Sequence, residues 1–173
     1  MTRYAVFLRG VNVGGVNLKM AEVAAALRDA GFDAVRTILA SGNVLLDSPD
    51  DAAVVRERAQ QALRAAFSYD AWVLVYDLDT VRAVSAAYPF EREVAGHHSY
   101  VTFVADEQVL DELAALAAEA GPDEKIARGD GVIYWQVPRQ ATLDSVIGRT
   151  MGRKRYKAST TTRNLRTLEK VLR

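Results

Sequence analysis

Three short polar segments hold the side chains of this chain best suited to grip an anion. Arg9 and Asn12 lie in L-R-G-V-N-V-G-G, Ser41 and Asn43 in S-G-N-V, and Thr161, Arg163 and Asn164 in T-T-R-N. A guanidinium is a planar fork of N–H donors that fits phosphate or carboxylate, and amides and hydroxyls add donors around it. The first segment also carries glycines, and a glycine-bearing loop before a helix can cradle phosphate on its backbone N–H groups. Both nucleotide signatures nevertheless fail. Gly10 and Gly15 have the spacing of a phosphate-binding loop, but Val16-Asn17 stands where Lys-Ser/Thr is required. Asn12 occupies the second glycine of the dinucleotide fingerprint. A plainer reading has Arg9 paired with an acid and the asparagines satisfying turn backbone.

Other chemistries find less support. With no cysteine, thiolate catalysis, disulfides and cysteine metal sites are all excluded. His97-His98 lacks a nearby third ligand and reads as surface histidine. Ser41 has no G-x-S-x-G around it, so nothing marks it as a nucleophile. Asp77 and Asp79 sit where a strand meets a helix and read as helix caps. Neither a cofactor nor a metal is expected, and whether the chain is an enzyme stays open.

The elements that must position these residues follow from periodicity. Tyr4 to Leu8 is a short apolar run, the pattern of a strand buried on both faces. A helix follows from Leu18 with Asn17 as its expected cap, and Gly31 stops it. Strands 34–39 and 43–47, a helix over 51–67 and a strand over 71–76 complete β-α-β-β-α-β, the ferredoxin-like order. The second half repeats the outline: a helix over 78–87, a strand over 99–105 and a helix over 107–120. A hairpin then pairs 125–128 with 132–137 around Gly129-Asp130-Gly131. Its last strand is unaccounted for, and residues 162–172 read as a helix with Leu165, Leu168, Val171 and Leu172 on one side. The expected fold is α+β: two ferredoxin-like subdomains with antiparallel sheets, over residues 1–77 and 78–173, and a basic C-terminal helix. In that topology the first and third strands are antiparallel neighbours, which brings Arg9 and Asn12 beside Ser41 and Asn43. If the tail packs over that edge, Thr161, Arg163 and Asn164 join them as a small-anion pocket.

Charge supports a different site. Over the 173 residues the formal net charge is zero, yet residues 149–173 hold nine Lys or Arg against one acid. The tail is therefore +8 and the remainder −8. Arg153, Lys154, Arg155, Lys157, Arg163, Arg166 and Lys170 form the candidate nucleic-acid surface, the expected partner being nucleic acid or a phosphorylated small molecule. A third possibility is that the tail docks on the protein's own acidic face. Sheet-face RNA binding is disfavoured, because Asn43-Val44-Leu45-Leu46 offers no ring for a base to stack on. The sequence shows neither a membrane-length apolar run nor a signal-peptide pattern, so no membrane partner and a cytoplasmic location are expected; oligomeric state is open.

Leu8 to Gly15, Ser41 to Val44 and T-T-R-N-L-R-T at Thr161 to Thr167 together resemble the bacterial domain-of-unknown-function family 1697, in order and spacing. The resemblance implies two ferredoxin-like α/β subdomains and no established activity, cofactor or catalytic residue. Leu165 stands where that family often carries tryptophan.

Overall fold

Tyr4 to Leu8 is buried throughout and forms the middle of β1 (Thr2–Arg9), as a run apolar on both faces should. The structure is a computed structural model describing residues 1–9, 17–68 and 70–173. It divides into one unit of residues 1–82 with 170–173 and a second of residues 83–169.

In the first unit β1 lies between β3 (Asn43–Ser48) and β4 (Trp72–Asp77), antiparallel to both, and β2 (Asp33–Ile38) flanks β3. Helices α1 (Met20–Asp29) and α2 (Ala52–Ala66) cover one face. Val23, Leu27, Val55 and Leu63 pack there with Val6, Leu8, Val44, Leu46 and Val73. Alternate residues Ala5, Phe7, Leu45 and Leu74 point to the opposite face and are buried as well. Asp51 caps α2, its carboxylate accepting the Val54 N–H at 3.0 Å. The expected Asn17 cap does not form: α1 begins at Met20, so Lys19 holds the cap position and makes no side-chain bond there. Gly31 ends α1 with φ 95°, a conformation glycine takes without penalty. Beyond β4, α3 (Leu78–Ala86) is capped by Asp77, which accepts the Thr80 N–H at 2.7 Å.

The second unit repeats the winding through β5 (His97–Val104), α4 (Glu107–Ala114), β6 (Lys125–Arg128), β7 (Val132–Pro138), α5 (Val146–Met151) and β8 (Thr160–Asn164). Its sheet order is β6-β7-β5-β8, matching β2-β3-β1-β4 position for position. Both units are thus ferredoxin-like. Leu110, Leu113, Ile147 and Met151 close one face over Ile133, Trp135 and Val137. On the other face of β7, residues 84–91 run across: Tyr134 Oη donates to the Val84 carbonyl at 2.7 Å, and Gln136 Nε2 to the Glu91 carbonyl at 2.8 Å.

The missing fourth strand is β8, and it displaces the start of the expected tail helix. Only α6 (Leu165–Val171) is helical; Thr160 to Asn164 pairs with β5 instead. Consecutive threonines, stiff at χ1, favour the pleated chain over the helix turn. Asn164 serves the helix start, its Oδ1 accepting the Arg166 N–H at 2.9 Å. Leu165, Leu168 and Val171 are buried, as their helical spacing predicts. Arg163, expected on the exposed side of that helix, is instead a strand residue only 6% exposed. Six-residue α5, capped by Ser145, is too short for its periodicity to stand out in the sequence. Among the described residues no helix is long and apolar enough to cross a membrane.

Candidate functional site

Strand pairing sets the end of β1 against the turn that carries Ser41 and Asn43. Phe7 faces Asn43 across β1 and β3, and the Leu8 N–H donates to the Gly42 carbonyl at 2.8 Å. Arg9 ends β1 opposite Trp72, half-buried, and burial pulls its guanidinium below the ordinary arginine range. Asn43 is 1% exposed, and its amide donates to the Ile38 carbonyl at 2.9 Å and to Ser41 Oγ at 3.0 Å. Those bonds span a turn in which Leu39 (φ 61°) and Gly42 (φ 91°) are both left-handed. The amide therefore braces the strained corner between β2 and β3. Asn12 lies outside the described residues.

Thr161, Arg163 and Asn164 belong to β8 of the second unit, opposite Phe103, Val101 and Tyr100. Arg163 Nη1 donates to Thr161 Oγ1 at 2.8 Å and to the Thr162 carbonyl at 2.9 Å. Its planar fork thereby meets oxygens of its own strand.

The basic residues divide by partner. Arg155 forms a two-pronged pair with Glu112 of α4, including Nε to Oε2 at 3.2 Å, and this raises its pKa. Arg166 Nε lies 3.4 Å from Glu93, with both side chains well exposed. Self-docking of the tail is thus real among the described residues, through these contacts and that of Glu169 with Arg92 at 3.2 Å. Arg149, Arg153, Lys154 and Lys157 are exposed and have no carboxylate within ion-pair distance among the described residues. Arg149 and Arg153 share a depression with Thr150, Tyr156, Glu112 and Glu119, where α5 lies along the end of α4. Lys170, exposed on α6, falls in the first unit.

A second groove contains residues the sequence left aside: Arg92, His97, His98 and Arg139 line it with Asn164 and Arg166. The histidine pair was the one available signal, and it had no partner until strand register supplied the arginines. Burial first, then the charges of Arg139 and Arg166, hold the His98 imidazole below its ordinary pKa. Among the described residues no three His, Asp or Glu side chains gather as metal ligands would.

Residues 1–134 match the model of a family described as "Protein of unknown function (DUF1697)". Comparison with curated proteins gives no match. Among solved structures, one described as "The structure of conserved bacterial protein SP0830 from Streptococcus pneumoniae" is similar to this chain. It superposes with a TM-score of 0.79 at 24% identity, over 98% of this chain and 96% of that one. At that identity the likeness is one of fold.

Proposed function

The chain belongs to the DUF1697 family, and because that membership carries no activity we propose a function from charge and exposure: binding of a phosphate-bearing polyanion, nucleic acid foremost. The observation that carries this reading is the run of four exposed cations, Arg149, Arg153, Lys154 and Lys157, none held by a carboxylate among the described residues. No Asp or Glu interrupts the chain between Asp144 and Glu169, so nothing within that segment cancels the field. Arg155 adds to the patch only by leaving Glu112, and Arg163 is too buried to contribute. The alternative pocket built on Arg9, Ser41 and Asn43 has less support, because the Asn43 amide already braces its own turn.

Four phosphate contacts give a log Kd against log salt slope of magnitude about 3 on single strands. The test is a labelled single-stranded oligonucleotide titrated at several salt concentrations with the parent chain and with Arg153→Ala/Lys154→Ala. The double variant is expected to lose roughly half the slope, about 0.7 for each cation removed. Undetectable binding, or binding indifferent to salt, overturns the proposal.

A further inference from the structure

We infer that the groove at the start of β5 is a binding site for a small phosphate group. Strand register builds it. His97 pairs with Pro138 and His98 with Val137, while the Arg139 N–H donates to the Gly96 carbonyl at 2.9 Å. The end of β7 therefore delivers Arg139 to one side of β5. On the other side Tyr100 faces Asn164, the last residue of β8, and the first turn of α6 that follows places Arg166 in the lining of the same groove as His98. The imidazole stands on the central strand with an arginine arriving from each side, and both arginines depress its pKa after burial does. Two guanidinium groups around one imidazole suit a tetrahedral oxyanion, which can accept from all three.

The remaining charges leave room for such a guest. Arg92 is committed: its Nη1 donates to the Ser85 carbonyl at 2.6 Å, and Nη2 reaches Ser85 Oγ at 3.0 Å and Glu169 at 3.2 Å. Among the described residues the Arg166 guanidinium pairs with Glu93 at 3.4 Å, with side-chain exposures of 63% and 70%, a pair that water largely screens. The Arg139 guanidinium has no hydrogen-bond acceptor or carboxylate among the described residues, although it lines the groove. Three arginines face two glutamates, so the groove carries excess positive charge. Beside His98 the charged and titratable groups are Arg92, Arg139, Arg166, Glu93, Glu169, His97 and Tyr100. A phosphate seated between Arg139 and Arg166 opposes the two cations that lower the His98 pKa and so raises it. The site shares none of the four cations proposed for the polyanion surface, so either proposal can fail without the other.

The chain has two histidines, both at this groove, which makes their ring resonances a local probe. The experiment titrates inorganic phosphate, and separately glycerol phosphate, into histidine-labelled full chain at ionic strength fixed with sodium chloride, read by NMR. Saturable His98 shifts with an upward pKa movement are expected. Stronger binding of the ester identifies a phosphate monoester as the ligand; equal binding identifies free phosphate. Arg139→Ala and Arg166→Ala should each weaken binding about tenfold, the loss expected for one charge-assisted contact. Lys154→Ala should leave it unchanged. No saturable shift, or parent-like titration of both arginine variants, overturns the inference.

Discussion

Gly148 within α5 and Gly152 at its C-terminal cap should respond oppositely to the same added methyl group. A Cβ on Gly148 would lie 1.9 Å from the Thr142 carbonyl oxygen and 2.8 Å from Ser145 Oγ. The obstacle is backbone, and the same turn is tied by Ser145 Oγ donating to the Thr142 carbonyl at 2.8 Å and accepting the Gly148 N–H at 3.0 Å. Gly148→Ala must therefore push the turn off the helix or unwind its first residues. Losing the cap costs about 1 kcal/mol and overpacking about 1–3 kcal/mol, giving about 2–4 kcal/mol in total. Because Ile147 and Met151 of this helix are core residues, the loss should spread through the second unit. For a domain of that size it corresponds to a Tm lower by about 10 °C or more. Gly152 differs: it has φ −67°, and its added Cβ would meet nothing nearer than the Arg149 carbonyl at 3.5 Å. Gly152→Ala should be neutral or stabilise by up to about 1 kcal/mol through the unfolded chain. Parallel thermal and urea melts check both. Equal stability of Gly148→Ala and the parent, or equal losses in the two variants, would refute the steric reasoning.

Asn43→Ala should cost about 1–3 kcal/mol, because the half-buried Ile38 carbonyl loses the donor that the buried Asn43 amide supplies; an unchanged melt would show that the amide does not brace the turn. Burial, opposed by the Arg56 charge, pushes the Tyr76 phenol up to about 12. Its folded pKa thus exceeds the unfolded value of about 10, so stability should fall as pH rises between them, by up to about 2–3 kcal/mol. Tyr76→Phe should flatten that alkaline decline, and an identical decline in the variant would contradict the assignment. The salt slope of oligonucleotide binding and the phosphate response of His98 remain as the two functional tests.

The legible parts of this chain were those written in local pattern. β1 announced itself because both faces are buried, and the hairpin around Gly131, at φ 70°, because its turn requires glycine. The ferredoxin-like order also put the end of β1 beside the turn that carries Ser41 and Asn43, where the Leu8 N–H meets the Gly42 carbonyl. β8 was hidden because five residues led directly into a helix, and the leucines of α6 extended a helical reading backward into Thr162 to Asn164. That error moved Arg163 to the wrong environment. It also concealed the groove, since Arg139 and Arg166 are 27 positions apart and meet beside His98 only when β8 is recognised as β5's neighbour.

The placement of the two tryptophans gives each unit its own optical reporter. Trp135 is 2% exposed, with its indole N–H donating to Thr102 Oγ1 at 2.9 Å; Trp72 is only partly buried, beneath the Arg64 guanidinium at 4.8 Å. The second unit should therefore emit at shorter wavelength than the first, and Trp72→Phe leaves a fluorophore that reports on the second unit alone. Comparing its unfolding curve with that of Trp135→Phe would reveal whether the two sheets melt together or in sequence.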